Sequence, residues 1–221
     1  TAVALVLTGC ANAPARPRER PLAPNPSAII AAKLASARLA QDKGQWTAFR
    51  ETARDDAVMF VPRRVKAQDW LQGRADPPRA VRWQPHAVYA SCDGSAGVTT
   101  GAWQDPSGAH GYFTTVWTRL RDGSFKWVLD HGVPLDGPPR AADEFITARQ
   151  AVCGTRPPVA LVAGAEGEDL AMGLSADQTL SWTSRVQEDA ARRITIRLWD
   201  GTAMQTVVDD VVPAVVAAAG G

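Results

Sequence analysis

Three places in this chain carry residue types that could move a proton. The stretch "FKWVLDHG", residues 125–132, sets Asp130 beside His131. Asp55 and Asp56 are adjacent, ahead of the apolar run "AVMFVP", and Tyr112 offers a phenol in "GYFTTVW". A carboxyl or imidazole in an apolar site acts as an acid or base with a pKa set by burial. The three histidines, at 86, 110 and 131, lack H-x-H or H-E-x-x-H spacing, so no metal centre is expected. No Gly-rich phosphate loop follows a strand, and "GLSADQ" is not a G-x-S-x-G elbow, so no cofactor is expected either.

Whether Asp130 and His131 work together depends on the element that holds them. "GYFTTVWTRL" and "SFKWVLDHG" are two strand-like runs joined through Asp122-Gly123, which suits a two-residue hairpin turn. That turn pairs Leu120 with Phe125, Thr118 with Trp127, Val116 with Leu129 and Thr114 with His131, all on one face. Arg119 with Lys126, Trp117 with Val128 and Thr115 with Asp130 form the other, together with Phe113. Neighbours on a strand leave opposite faces, so Asp130 and His131 are not expected to form a dyad unless a bulge intervenes. The first face is the more apolar. It is expected to turn inward, giving a pocket of Tyr112, Thr114, Val116, Trp127, Leu129 and Phe60, while Asp130 faces solvent or a second subunit. His131 then reads either as an acid–base group in that pocket or as a half-buried histidine satisfied by a hydroxyl or backbone group.

The elements ahead of the hairpin are helical. "NPSAIIAAKLASARLAQDKGQW" reads as an amphipathic helix from a Ser27 N-cap to Gly44, with Ile30, Leu34 and Ala37 on its apolar stripe. "WTAFRETARD" is a second short helix, "AVMFVP" a strand, and "AQDWLQGR" one helical stretch ended by Gly73. "AVRWQPHAVYASC" is a strand interrupted at Pro85, which implies an edge or a bulge. "GVTTGAWQD" returns after the Asp93-Gly94 turn. The expected fold class is α+β, with helices laid on one face of an antiparallel sheet.

That order, together with "DDAVMFVP", "AQDWLQGR", "GYFTTVW" and "DGSFKWVLDHG", resembles the nuclear-transport-factor-2-like superfamily, which includes ketosteroid isomerase and the SnoaL-like proteins. The resemblance covers about residues 28–134. It implies a curved sheet forming a cone, with the N-terminal helices on its concave face, often around a small ligand and often dimeric. It also makes Asp55 or Asp56 the counterpart of a pocket acid, although no convincing Tyr-and-acid oxyanion hole is visible.

Residues 1–27 address location. "TAVALVLTG" is too short to span a bilayer and has the length of a signal-peptide core. Leu7-Thr8-Gly9-Cys10 resembles a bacterial lipobox, which implies cleavage after residue 9, lipid on Cys10 and membrane anchorage in the envelope. Ala11, where an inner-membrane signal would show Asp, favours the outer membrane facing the periplasm; an ordinary signal peptide is the alternative. Residues 10–27 form a Pro-rich tether, at most about 55 Å long. Cys92 and Cys153 are a disulfide in an oxidising compartment or two buried thiols. Residues 135–221 form a β-rich extension in which "PPRAADEFITARQAV" reads as a helix and "TLSWTSRVQ", "RRITIRLWDG" and "TAMQTVVDDVV" as strands.

With 221 residues, 45% hydrophobic, 21% charged and a net charge of +1, composition gives no electrostatic case for nucleic acid. Eight tryptophans read as core packing ahead of a stacking platform. The function expected is a non-catalytic envelope module binding a small apolar ligand or a protein partner. The alternatives are an isomerase, dehydratase or cyclase using His131, Asp55 or Asp56, and a scaffold that self-associates as a homodimer through the outer sheet face.

Overall fold

A computed structural model describes residues 25–138, 145–158, 164 and 167–214. The signal-like run, Cys10 and most of the tether lie outside the described residues. Helix α1, Pro26–Lys43, is capped by Asn25 rather than Ser27: the Asn25 side chain accepts from the Ala28 N–H, and Pro26 takes the first turn. It ends at Gly44, whose φ of +110° suits glycine; a Cβ there would also meet the Asp76 carboxylate. The buried stripe is Ile29, Lys33, Ser36 and Ala40, one residue away from the expected Ile30, Leu34, Ala37, and Leu34 is exposed. The apolar stripe therefore contains a lysine.

Helix α2, Gln45–Thr52, runs directly into strand β1, Ala53–Phe60, so Asp55 and Asp56 lie within the strand and not ahead of it. Strand β2, Arg64–Lys66, and the short helix α3, Ala67–Leu71, follow; then come β3, Arg82–Ala90, β4, Ala96–Gln104, β5, His110–Arg119, β6, Phe125–Pro134, and β7, Thr147–Gln150. These seven strands form one sheet in the order β2-β1-β6-β5-β4-β3-β7. The sheet is mixed and not purely antiparallel. β1 reaches β6 only after the chain has passed through the meander, and β7 returns to β3 from beyond the sheet, so both these pairs are parallel. The break at Pro85 is a bulge, with the β3–β4 register shifting between Pro85 and Ala87. Residues 147–150, expected within a helix, are β7.

A second sheet is built from β8, Asp169–Leu174, β9, Leu180–Val186, β10, Arg192–Trp199, and β11, Met204–Val212, in the order β11-β10-β9-β8. It packs on the seven-stranded sheet, where Leu180, Ile194, Ile196 and Leu198 meet Val98, Val116 and Leu129. Each such side chain contributes about 1.5–3 kcal/mol by leaving water. The large sheet is therefore covered on both faces, by helices on one and strands on the other. A disulfide joins Cys92 to Cys153, with Cα atoms 5.3 Å apart. Beside it, Asp93 and Asp177 each accept the other's backbone N–H, at 2.8 and 3.0 Å, tying the β3–β4 turn to the β8–β9 turn.

The β5–β6 hairpin decides which side chains meet the helices. Its loop holds three residues, not two: Leu120 N–H donates to Ser124 O, and Gly123 takes a φ of +87°. Arg119 therefore faces Phe125 and Trp117 faces Trp127, until a bulge restores Val116–Leu129, Thr115–Asp130 and Thr114–His131. Asp130 and His131 do leave opposite faces, but the faces are the reverse of those expected. Below the bulge Trp117, Trp127 and Phe125 turn toward the helices, and Phe113, Thr115 and Asp130 share that side. Thr114, Val116, Leu129 and His131 turn toward the second sheet.

Candidate functional site

Helix α2 has no cap of its own. Asp76, thirty residues on in sequence, supplies one, accepting the Trp46 and Thr47 N–H groups at 2.5 and 3.0 Å and the Thr47 hydroxyl at 2.6 Å. Burial raises the Asp76 pKa, but the bonds from Thr47 and Trp46 and the charge of Arg50 outweigh it and hold the carboxyl below its usual value. The cap orients Trp46 and Phe49, whose rings meet edge to face at 5.7 Å; Phe49 continues to Trp83 at 5.8 Å and Trp127 at 5.6 Å. Between this aromatic set and the sheet lies a cavity of about 210 Å³. Trp46, Phe49, Trp83, Trp103 and Phe113 wall it, and Gln45 and Asp130 are its polar groups. Four of the chain's aromatic-rich segments thus converge on one space, so several tryptophans serve as walls as well as core.

Behind the part of this wall made by Trp83, Phe113 and Asp130, α1 places Lys33, only 4% exposed. Its Nζ lies 4.0 Å from the Phe113 ring centre and 5.3 Å from that of Trp83, and donates to Thr115 Oγ1 at 3.4 Å. Thr115 Oγ1 donates in turn to Asp130 Oδ1 at 2.6 Å. Desolvation lowers the Lys33 pKa to about 8, and the Asp130 charge only partly opposes it. Two ring contacts, worth about 0.5–2 kcal/mol each, do not restore the lost hydration. Burial likewise raises the Asp130 pKa, against the pull of the Lys33 charge and the Thr115 hydroxyl. The result is a carboxyl of raised pKa opening on an apolar cavity, with a weakened ammonium behind it.

The residues singled out from sequence are distributed differently. His131 is fully buried between the two sheets, where its Nδ1 accepts from Arg192 Nε at 3.3 Å and its ring meets Phe60 and Tyr112 edge-on. It lies in the core between the sheets and is not among the residues that line the cavity. Tyr112 and Thr114 share its side, and the Thr114 hydroxyl donates to Asp210 at 2.7 Å. Val116 and Leu129 are inter-sheet core. Phe60 borders the cavity, although its ring packs on His131. Trp127 is on the expected side, behind Phe49, with Nε1 donating to Thr52 Oγ1 at 3.1 Å. Asp55 and Asp56 are exposed, in the part of β1 that bulges opposite β6. They border a surface cleft with Arg119, Arg121 and Lys126, away from the cavity, and Asp56 pairs with Arg54 at 2.9 Å. Trp83 and Trp103, which line the cavity, and Lys33 and Thr115, which lie behind it, are not among the site residues expected from sequence. A lysine four residues after Ile29, on the same helical face, is the signal for Lys33.

No protein-family model matches the chain, and no curated protein does. Solved structures similar to it include a provisionally assigned ketosteroid isomerase from Parabacteroides distasonis, at 16% identity and TM-score 0.41, covering 50% of this chain and 88% of that one. A nuclear-transport-factor-2-like protein of unknown function from Shewanella baltica matches at 13% identity and TM-score 0.38, covering 50% and 94%. ActVI-ORFA from Streptomyces coelicolor matches at 13% and 0.37, covering 49% and 95%. These likenesses are too low to carry a function across.

Proposed function

We propose that the helix-covered face of the large sheet is a pocket for a small, planar, largely apolar molecule, and that Asp130 exchanges a proton with it. The observation that carries this is the raised-pKa carboxyl of Asp130 on an aromatic-walled cavity, hydrogen-bonded by Thr115 and backed by Lys33. The volume is below the roughly 300–1,000 Å³ usual for drug-sized ligands, which points to an occupant of one ring. Gln45, whose side-chain oxygen accepts from the Val81 N–H at 3.0 Å, is the other polar residue of the lining. The acid–base centre is thus Asp130 and not His131, Asp55 or Asp56.

The test uses the full chain with cyclohexanone and its ring analogues in deuterated buffer. Native mass spectrometry reads binding, and proton NMR reads exchange next to the carbonyl. Binding with exchange that Asp130→Asn abolishes supports the reading. Binding with exchange untouched by that substitution makes the cavity a binding module without chemistry.

The same proposal includes kinship with the nuclear-transport-factor-2-like superfamily over about residues 28–134, and anchorage of the chain to an envelope membrane through Cys10. The lipobox-like Leu7-Thr8-Gly9-Cys10 supports the anchorage, and the Cys92–Cys153 disulfide suits an oxidising compartment. Labelled palmitate that enters the chain, and fails to enter a Cys10→Ser variant, is the expected outcome; equal labelling of both contradicts it. Self-association as a homodimer is the second reading; the face expected to be outer, with Trp117, Thr115 and Asp130, meets the helices and the other meets the second sheet, so the dimer would form through a surface other than these two faces.

A further inference from the structure

We propose that Lys33 is a nucleophile that forms an imine with small aromatic aldehydes entering the cavity, with Asp130 carrying the protons. This deepens the pocket reading and rests on it. Three groups bordering the cavity surround the amine: the Phe113 ring at 4.0 Å, the Trp83 ring at 5.3 Å, and Asp130 through the Thr115 hydroxyl. The Nζ makes one hydrogen bond, long at 3.4 Å, and to a neutral oxygen, so little holds it in its charged form. At pH 8 about half of Lys33 is the neutral amine, against about one in three hundred for an ordinary lysine. An amine in an apolar site beside a carboxyl is the arrangement that activates lysine toward carbonyl compounds.

The step balances without a further reagent. The neutral amine nitrogen adds to the aldehyde carbon, forming the C–N bond. The carbonyl π electrons pass to oxygen, which takes a proton from protonated Asp130, and the nitrogen returns one to the carboxylate. Loss of the hydroxyl as water, protonated by Asp130, breaks the C–O bond and leaves the iminium, whose N–H proton returns to the Asp130 carboxylate to give the imine. The net reaction is aldehyde plus amine giving imine plus water.

The chain has four lysines, at 33, 43, 66 and 126, which makes the site readable by peptide mapping. The full chain is incubated with benzaldehyde and cyanoborohydride, then digested and mapped; benzyl alcohol, which cannot form an imine, is titrated separately by tryptophan fluorescence. The expected result is a reduced benzyl group on Lys33 at ten-fold or greater excess over the other three lysines, suppressed by benzyl alcohol. Asp130→Asn should slow the labelling at least ten-fold while benzyl alcohol still binds. Benzyl alcohol binding with label confined to Lys43, Lys66 and Lys126 overturns the imine and leaves the pocket standing. Absence of binding together with absence of Lys33 label overturns both. Lys33→Arg, which keeps the charge, must lose the label; persistence of label at the pocket in that variant also refutes the assignment.

Discussion

Replacing Lys33 with methionine should make this protein more stable, and by an amount that depends on pH. The buried ammonium titrates at about 8, not 10.5. Each unit is worth about 1.4 kcal/mol, so holding the charged form inside costs on the order of 3 kcal/mol, even after attraction to Asp130. The folded pKa is lowered for a base, so between pH 8 and 10.5 the unfolded chain binds more protons and stability rises with pH. Below 8 both states are charged and the full cost stands; above 10.5 both are neutral and it is gone. Methionine fills the same space without the charge. Urea unfolding at pH 7 should show Lys33→Met ahead by about 3 kcal/mol, or roughly 6–12 °C in Tm, with the gap closing toward zero as pH approaches 10.5. A variant equal to or weaker than the parent at pH 7, or a gap that does not close, would refute the reasoning. A stabilising loss of Lys33 would mean that folding is not what the lysine serves.

Three other outcomes test the frame around the site. Replacing Cys92 and Cys153 by serine frees a loop closed across 61 positions and should cost about 4 kcal/mol in urea unfolding; a cost near zero would mean that the ends of β3 and β7 are held together without it. Asp76→Ala leaves the first N–H groups of α2 without their acceptor and should cost about 1–2 kcal/mol. Because the Asp76 pKa is lowered in the fold, that difference should be full at neutral pH and fade as pH falls below the ordinary carboxylate value, which acid titration of both proteins by near-UV circular dichroism would show or deny. Gly97→Ala places a methyl into the Ile29 side chain, which must repack in a fully buried site; about 1–3 kcal/mol of lost stability is expected in urea unfolding, and a cost near zero would mean that the α1–β4 contact has room to spare.

The order of elements from α1 to β6 was legible from the sequence apart from β2, with the bulge at Pro85 and Gly44 and Gly73 as stops, and so were the strands β9, β10 and β11 around their turns; β7 was not. So was the pairing of Thr114 with His131 and Thr115 with Asp130. What misled was a pair of compensating irregularities. A three-residue loop in place of two shifts the β5–β6 register by one, and the bulge between Val116 and Trp117 shifts it back. Between them Trp127 and Phe125 change face, and their apolar weight joins that of Trp117 on the side of Asp130. Single-chain patterning reads a face by its apolar count, and here both faces are buried, because the second sheet covers the one expected to meet the helices or solvent. His131 looked like a pocket group for that reason. Lys33 falls outside the stripe of Ile30, Leu34 and Ala37 that apolar spacing suggests, because the buried positions of α1 lie one residue earlier, at Ile29, Lys33, Ser36 and Ala40.

The most direct test of the account is the titration of the Asp130 carboxyl carbon, followed by NMR in the full chain and assigned against Asp130→Asn. The account predicts an inflection above the ordinary aspartate value of 3.8, and a further change in that inflection when benzyl alcohol fills the cavity. An Asp130 that titrates at or below 3.8, and is unmoved by the ligand, would place the carboxyl in water and remove the acid–base site.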